Sequence, residues 1–246
     1  MALQRDSEST RFSKKQFQTK VSEDRLPHYG LLEDVVTCWA EAETAVMKVL
    51  VLFAHPAQRK SSINLAMAER IKRLDGVTLV DLYADYPRFN IDVDKEQQRL
   101  LDHDAIILQF PLFWYSTPAL LKQWQDLVLE YGFAYGPAGR RLEGKFLLPC
   151  VTTGGSGTDY SVHGGNNHPF REFVLPLQQT AVLCGMTFMP PFVLHSANHL
   201  DSPASQEHIS SYATLVSALR DDKLDLQAAM KGDILERHAV AELLKG

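Results

Sequence analysis

Val49-Leu50-Val51-Leu52-Phe53-Ala54 is an unbroken run of aliphatic and aromatic residues, closed by His55-Pro56. A strand with one wet face alternates polar and apolar residues, whereas a strand covered by helices on both faces reads as this run does. The run is therefore a buried strand of a parallel sheet. Beyond the loop Ala57 to Ser61, Ser62 can cap a helix in which Met67, Ile71 and Leu74 share a stripe, ending near Asp75-Gly76. Strand, loop and helix make the first half of a βαβ unit.

The same alternation continues. Val77 to Leu82 reads as a second strand, Tyr83 to Asp92 as an irregular connection containing proline, and a helix starts near Val93. Ala105 to Phe110 is a third apolar strand stopped by Pro111. A helix from Thr117 or Pro118 to about Tyr131 carries Leu120, Leu121, Trp124, Leu127 and Val128 on one stripe. Lys145 to Thr152 is the fourth strand, Phe170 to Leu183 a helix, and Met186 to Leu194 the fifth strand. The expected fold is α/β, a doubly wound five-stranded parallel sheet of order 2-1-3-4-5 with helices on both faces. After Ser202-Pro203 two further helices are expected, Ser205 to Arg220 and Leu224 to Lys245.

The chain has 246 residues, a net charge of -5 and no long apolar stretch. That balance gives no basic field for a phosphate backbone, which argues against nucleic-acid binding, and the longest apolar runs are far too short to cross a bilayer. Residues 1 to 46 are polar and charged up to Pro27, then show amphipathic spacing around Leu31 to Val46. They lack the apolar core of a secretory signal, so a cytoplasmic location is expected. This segment reads as an extension before a protein that could equally begin at Met47, and it is given no part of the chemistry. Cys38, Cys150 and Cys184 are an odd number at wide spacing, with neither a metal signature nor a disulfide framework; Cys150 and Cys184 read as buried thiols.

In an open α/β sheet a ligand sits beyond the carboxyl ends of the strands, where the strand order reverses. Three loops meet that condition. The first, His55 to Asn64, offers hydroxyls at Ser61 and Ser62, cations at Arg59 and Lys60, and a helix N-terminus, a combination that suits a phosphate without the glycines of a P-loop or dinucleotide turn. Ser62 equally serves as a plain helix cap. The second, Pro111-Leu112-Phe113-Trp114-Tyr115-Ser116-Thr117-Pro118, sets three aromatics between prolines as a wall for a planar ring. The third, Val151-Thr152-Thr153-Gly154-Gly155-Ser156-Gly157, brings hydroxyls and a bare backbone to such a ring, although alone it would also make an ordinary turn. Tyr160, His163 and His168 follow it, as candidates to stabilise developing negative charge and deliver a proton.

Together, these loops resemble the flavodoxin-like NAD(P)H:quinone oxidoreductases, and within them the ancillary flavoproteins of glutathione-regulated potassium-efflux antiporters. The similarity runs from Met47 to about Asn198. It rests on His55-Pro56 with Ser61, Ser62 and Asn64; on Pro111 to Ser116; on Tyr131-Gly132-Phe133-Ala134-Tyr135-Gly136 with Leu142-Glu143-Gly144-Lys145; and on Thr152 to Gly155. The resemblance implies a homodimer with flavin sites at the subunit interface; the flavin domain is expected over 47–200, with the C-terminal helices of 201–246 packed on it. It implies FMN, with FAD the alternative, as cofactor, NADH or NADPH as co-substrate and a quinone as acceptor; the alternative reading is a non-catalytic regulatory subunit, its flavin site structural, docked on a potassium-efflux antiporter at the inner face of the membrane. By it, His55, Ser61, Ser62 and Asn64 hold the phosphate and ribityl region, Pro111, Leu112, Phe113, Trp114, Tyr115, Thr152, Thr153, Gly154 and Gly155 meet the ring, and Tyr160 sits near its polar edge. In the larger quinone reductases a histidine follows the tyrosine by six residues; here that position is Asn166, flanked by His163 and His168.

Overall fold

The computed structural model describes residues 46–57, 62–198 and 202–245, all within a unit spanning Glu43–Gly246. Ser61, the side chain of Ser62, Cys38 and residues 1–45 therefore lie outside the described residues.

Alternation along the strands explains how the sheet divides its core. In β1 (Val49–Phe53), Leu50 and Leu52 point to one face and Val49 and Val51 to the other, and all are fully buried. The first face packs with Leu100, Leu121, Trp124 and Leu177, the second with Met67, Ile71, Tyr212 and Leu215. Helices thus cover both sides, and a strand buried on both sides must be apolar throughout. The same holds for β3 (Ala105–Pro111), where every residue is buried.

Chain order places α1 (Ser62–Ile71) after β1, followed by β2 (Val77–Asp81), α2 (Leu82–Asp85), α3 (Val93–Leu101), β3, α4 (Ala119–Val128) and β4 (Phe146–Thr152). Then come α5 (Phe170–Phe173), α6 (Leu175–Leu183), β5 (Thr187–Phe188), β6 (Phe192–Leu194), α7 (Ser202–Arg220) and α8 (Leu226–Ala229). All strand pairings are parallel and the order is β2-β1-β3-β4-β5, with β6 also paired to β4. This is the doubly wound sheet expected, and the reversal between β1 and β3 opens a crevice at their carboxyl ends. Among the described residues no helix is long and apolar enough to cross a membrane.

Four elements differ from the sequence expectation, each for a local reason. The fifth strand is interrupted at Pro190-Pro191, which lack N–H groups for the ladder; β5 pairs with Phe146 and Leu147, and β6 with Cys150 to Thr152. The Phe170 to Leu183 helix breaks at Val174, because Pro176 fits only the first turn of a new helix. Part of the Tyr83 to Asp92 connection is helical: α2 starts at Leu82, with the Asp81 side chain accepting from the Ala84 amide at 3.1 Å. Most consequentially, Leu224 to Lys245 is not one helix. Its backbone is taken by tertiary partners: Leu235 N–H donates to the Pro191 carbonyl at 2.8 Å, Asp225 N–H to that of Leu243 at 2.7 Å and Lys245 N–H to that of Lys223 at 2.7 Å. Only α8 and a 3-10 turn at Val240–Leu243 remain.

A buried carboxylate ties α2, α3 and α4 together. Glu96, fully buried, accepts from the Tyr86 hydroxyl at 2.6 Å and the Trp124 indole at 2.9 Å and pairs with Arg99, which also reaches Asp85 at 2.9 Å. These partners satisfy the charge that burial would otherwise make costly.

Candidate functional site

A cleft of about 420 Å³ opens at the carboxyl ends of β1, β3 and β4, lined by His55, Asn64, Pro111, Leu112, Phe113, Thr152, Thr153 and Gly154, with Asn198 and Ser205 on the side of α7. One residue or more from each of the three loops lies on it.

Asn64 stands in the first turn of α1 and is 2% exposed. Its Nδ2 donates to Thr152 Oγ1 at 2.8 Å, while its Oδ1 has no hydrogen-bond partner among the described residues. A buried amide oxygen left unpaired costs on the order of 1–3 kcal/mol, so an acceptor held at the cleft wall suits a ligand that brings a donor, such as a hydroxyl. Beneath it, Gln109 Nε2 donates to the Asn64 carbonyl at 2.8 Å, and the Tyr212 hydroxyl of α7 donates to Gln109 Oε1 at 3.2 Å. Gln109, a polar residue inside an apolar strand, was the visible signal of this network and was not singled out in the sequence. Cys150 and Cys184 are both buried, and burial pushes the Cys150 thiol up, with the Tyr212 hydrogen bond opposing.

His55 accepts the Ala57 amide at Nδ1, 3.1 Å away, so its proton sits on Nε2 as a donor. Burial lowers its pKa, and it is neutral at physiological pH. Phe113 meets its ring edge-on at 5.9 Å.

The aromatic loop is a tight hairpin. Phe113 and Ser116 exchange backbone hydrogen bonds at 3.1 and 3.0 Å, leaving Trp114 and Tyr115 at the two central positions with φ 47° and 63°. That left-handed pair normally calls for Asn or Gly, and a bulky residue there costs roughly 1–2 kcal/mol. The strained turn presents Trp114 at 93% exposure and Phe113 at 42%, an arrangement that burial does not explain. Tyr115 is tied down by stacking on Phe173 at 5.3 Å and by its hydroxyl on Asn166 Oδ1 at 3.2 Å.

The third wall is zipped to the exit of β6. Thr153 N–H donates to the Leu194 carbonyl, Ala197 N–H to that of Thr153 and Ser196 N–H to that of Gly155, each at 2.9 Å. At Gly154 a Cβ would meet nothing nearer than Asn198 Nδ2 at 3.8 Å, so the backbone there lies open to a flat ligand. Gly164 lets the following loop fold on itself, since a Cβ would fall 2.1 Å from the Thr158 carbonyl oxygen.

Tyr160 is half-buried among Phe170, Phe173 and His195, with ring centroids 5.6, 5.5 and 5.3 Å away. Burial raises its pKa and the neighbouring Thr153 hydroxyl draws it back, leaving a protonated phenol at neutral pH. The two histidines expected beside it, His163 and His168, are both exposed; His168 Nδ1 pairs with Glu172 at 2.6 Å and its ring meets Phe173 edge-on at 6.1 Å, so it reaches the Tyr160 cluster only through Phe173. His195 stands there instead, 3.1 Å by Nδ1 from Thr153 Oγ1. It comes one residue after the last strand, so the rule that selected the other three loops points to it too.

The set fits a flavin. An acceptor at Asn64 with no partner among the described residues, a neutral histidine donor, an open glycine backbone and exposed aromatics meet the demands of a polyhydroxylated chain joined to a planar ring.

Comparison with known proteins agrees. Residues 47–216 match the model of the family described as flavodoxin-like fold. The chain is 45% identical over 169 residues to the uncharacterized NAD(P)H oxidoreductase YrkL of Bacillus subtilis (strain 168), spanning 68% of this chain and 97% of that protein. It is 42% identical over 164 residues to the glutathione-regulated potassium-efflux system ancillary protein KefF of Enterobacter sp. (strain 638), spanning 67% and 92%. Among solved structures, general stress protein 14 of Treponema denticola in complex with FMN superposes with a TM-score of 0.66 at 35% identity, covering 70% of this chain and 99% of that one. An NADPH-quinone reductase from P. pentosaceus gives 0.63 at 33%, covering 68% and 96%.

Proposed function

The chain belongs to the flavodoxin-like fold family, and from that premise we propose that it is a flavin-dependent NAD(P)H:quinone oxidoreductase. The observation that carries this is the three-sided cleft, with Asn64 Oδ1, which has no partner among the described residues, at its base and the strained Trp114-Tyr115 hairpin at its rim. The FMN held by the Treponema denticola protein and the names of the other relatives support the same reading.

The cofactor is FMN, with FAD the alternative. When bound it supplies ping-pong chemistry, accepting a hydride from NADH or NADPH and passing two electrons to a quinone that enters after the nicotinamide leaves. His55 Nε2–H and the α1 N-terminus, together with Ser61 and Ser62, serve the phosphate. Asn64, fixed by Thr152 and Gln109, accepts from the ribityl chain. Thr152 to Gly155 and Pro111 to Tyr115 hold the ring and exclude water from it, and Trp114 offers its exposed face to the quinone. Tyr160 contributes a neutral donor, packed so that its hydroxyl direction is set before substrate arrives. His163 and His168 are exposed and are given no part in the proton chemistry.

The protein works as a homodimer in the cytoplasm. Apolar Leu175, Val182 and Leu183 stand 54–60% exposed on α6, a surface that suits a second copy. Its likeness to an ancillary protein of a potassium-efflux system supports a second, compatible reading: docking on the inner face of such an antiporter.

The test is direct. Purified protein is expected to be yellow, to bleach on adding NADH or NADPH, and to regain colour with a quinone. A colourless protein that takes up neither FMN nor FAD overturns the proposal. If a turnover-dead Tyr160 variant still activates efflux, catalysis is not what the antiporter reads.

A further inference from the structure

The Thr153 hydroxyl holds one proton and faces the Gly155 carbonyl at 2.9 Å and His195 Nδ1 at 3.1 Å, with the Tyr160 hydroxyl as a third hydrogen-bond partner. Two arrangements satisfy the group. With Nδ1 bare, the hydroxyl can donate to the imidazole. With Nδ1 protonated, His195 donates to Oγ1, and the hydroxyl turns to Gly155 or Tyr160. A proton on His195 Nδ1, which the imidazolium always carries, therefore turns the hydroxyl of a residue that lines the cleft, although His195 itself is not on the cleft wall. The backbone bonds joining Thr153 to Leu194 and Ala197, and Gly155 to Ser196, hold the two residues in this register.

The groups around the imidazole are arranged for one that exchanges a proton. Tyr160 lies across its ring at 5.3 Å with a 33° tilt, and Phe170 closes on it edge-on at 5.7 Å. A Cβ on Gly157 would come within 3.3 Å of its Cδ2, so the loop passes directly over the ring. Two carboxylates act on it from separate elements: Asp159, locked by the Ser156 amide and hydroxyl at 2.7 and 2.8 Å, and Glu236 of the C-terminal segment. Burial outweighs both and lowers the pKa of His195, so the resting ring is neutral. A new negative charge in the cleft shifts that balance toward the imidazolium.

We propose that His195 is the positioning residue of this site: acting through Thr153, it takes up a proton when negative charge appears in the cleft and gives it up when that charge leaves. The inference rests on the flavin reading above. Over a turnover the nicotinamide supplies a hydride and solvent supplies one proton, which His195 holds; the quinone departs with both as the hydroquinone, and electrons and protons balance. This role falls to His195 rather than His163 or His168 because it alone of the three reaches a residue lining the cleft.

The experiment uses FMN-loaded full-length protein. The ring nitrogens of His195 are followed by 15N NMR across pH with the cofactor oxidised and then reduced, and the potential of the bound flavin is measured against pH for wild type, H195Q and T153V. His195 is expected to gain a proton on reduction, and wild type to take up more protons per electron pair than either variant over the window in which His195 titrates. An unchanged His195 charge state, or identical pH slopes in all three proteins, overturns the inference. The NMR arm uses wild type and decides even where a variant fails to fold. A wild-type protein that takes up no flavin overturns the functional proposal and this one with it, whereas one that binds flavin and is bleached by NAD(P)H without a change at His195 overturns this one alone.

Discussion

His208 offers the sharpest test of how the C-terminal region is held. It lies in α7 at 1% exposure, stacked on Phe192 at 4.5 Å and 18°, and neither ring nitrogen has a hydrogen-bond partner among the described residues. Burial, reinforced by Arg237, drives its pKa from 6.5 down to about 3. Below pH 6.5 the unfolded chain gains a proton that the folded chain refuses until about pH 3, so stability is lost as pH falls through that window. Each unit within it is worth about 1.4 kcal/mol, giving a loss of about 2 kcal/mol between pH 6.5 and pH 5 from this residue. That is a sizeable share of a typical stability of roughly 5–15 kcal/mol. His208→Leu removes the titration and two polar atoms that have no partner among the described residues, while keeping an apolar side chain against Phe192. The variant is expected to match or exceed wild type at pH 7 and to be more stable by about 2 kcal/mol further at pH 5, with urea midpoints read from the fluorescence of buried Trp124. His55 and His195 also titrate low, but they are common to both proteins and cancel in the difference. Equal losses between the two pH values in variant and wild type would refute the assignment of the acid sensitivity to His208.

Three further outcomes are expected. Glu96→Ala strands the Tyr86 hydroxyl, the Trp124 indole and Arg99 together, and should cost about 3–5 kcal/mol in urea unfolding; a change under 1 kcal/mol would mean the cluster is not satisfied through Glu96. Gly154→Leu fills open space over the third wall, and should weaken FMN binding more than about tenfold in a fluorescence titration while leaving the urea midpoint nearly unchanged. Tyr160→Phe should lower quinone turnover by about 10²-fold or more with flavin still bound, whereas His163→Ala and His168→Ala should stay close to wild type in stopped-flow assays.

The architecture was legible from Val49 to Leu194 because it is written in composition. A strand buried on both faces needs apolar residues at every position, and Val49 to Phe53 and Ala105 to Phe110 supply them whatever else the chain does. The strand order is the one expected of a doubly wound sheet, and with it comes the end of the sheet at which the cleft opens. The loops that line the cleft were legible for the same reason. Local signals failed where backbone partners came from far away in sequence: Leu224 to Lys245 has helical-looking composition, yet its amides are claimed by Pro191, Leu243 and Lys223.

What only the tertiary structure decided is which polar groups meet. Sequence spacing pointed to His163 and His168 because they follow Tyr160; folding leaves both exposed, His168 turned to Glu172 and Phe173, and brings His195 from the end of β6 against Tyr160, 42 residues after Thr153. Gln109 and Tyr212, 103 residues apart, likewise become the support of Asn64 only once β3 and α7 pack on opposite sides of one network. Hydrophobic periodicity is a property of neighbours along the chain and survives without a fold. Hydrogen bonds among buried side chains depend on positions fixed to within an ångström, and those exist only when the sheet and its helices have closed.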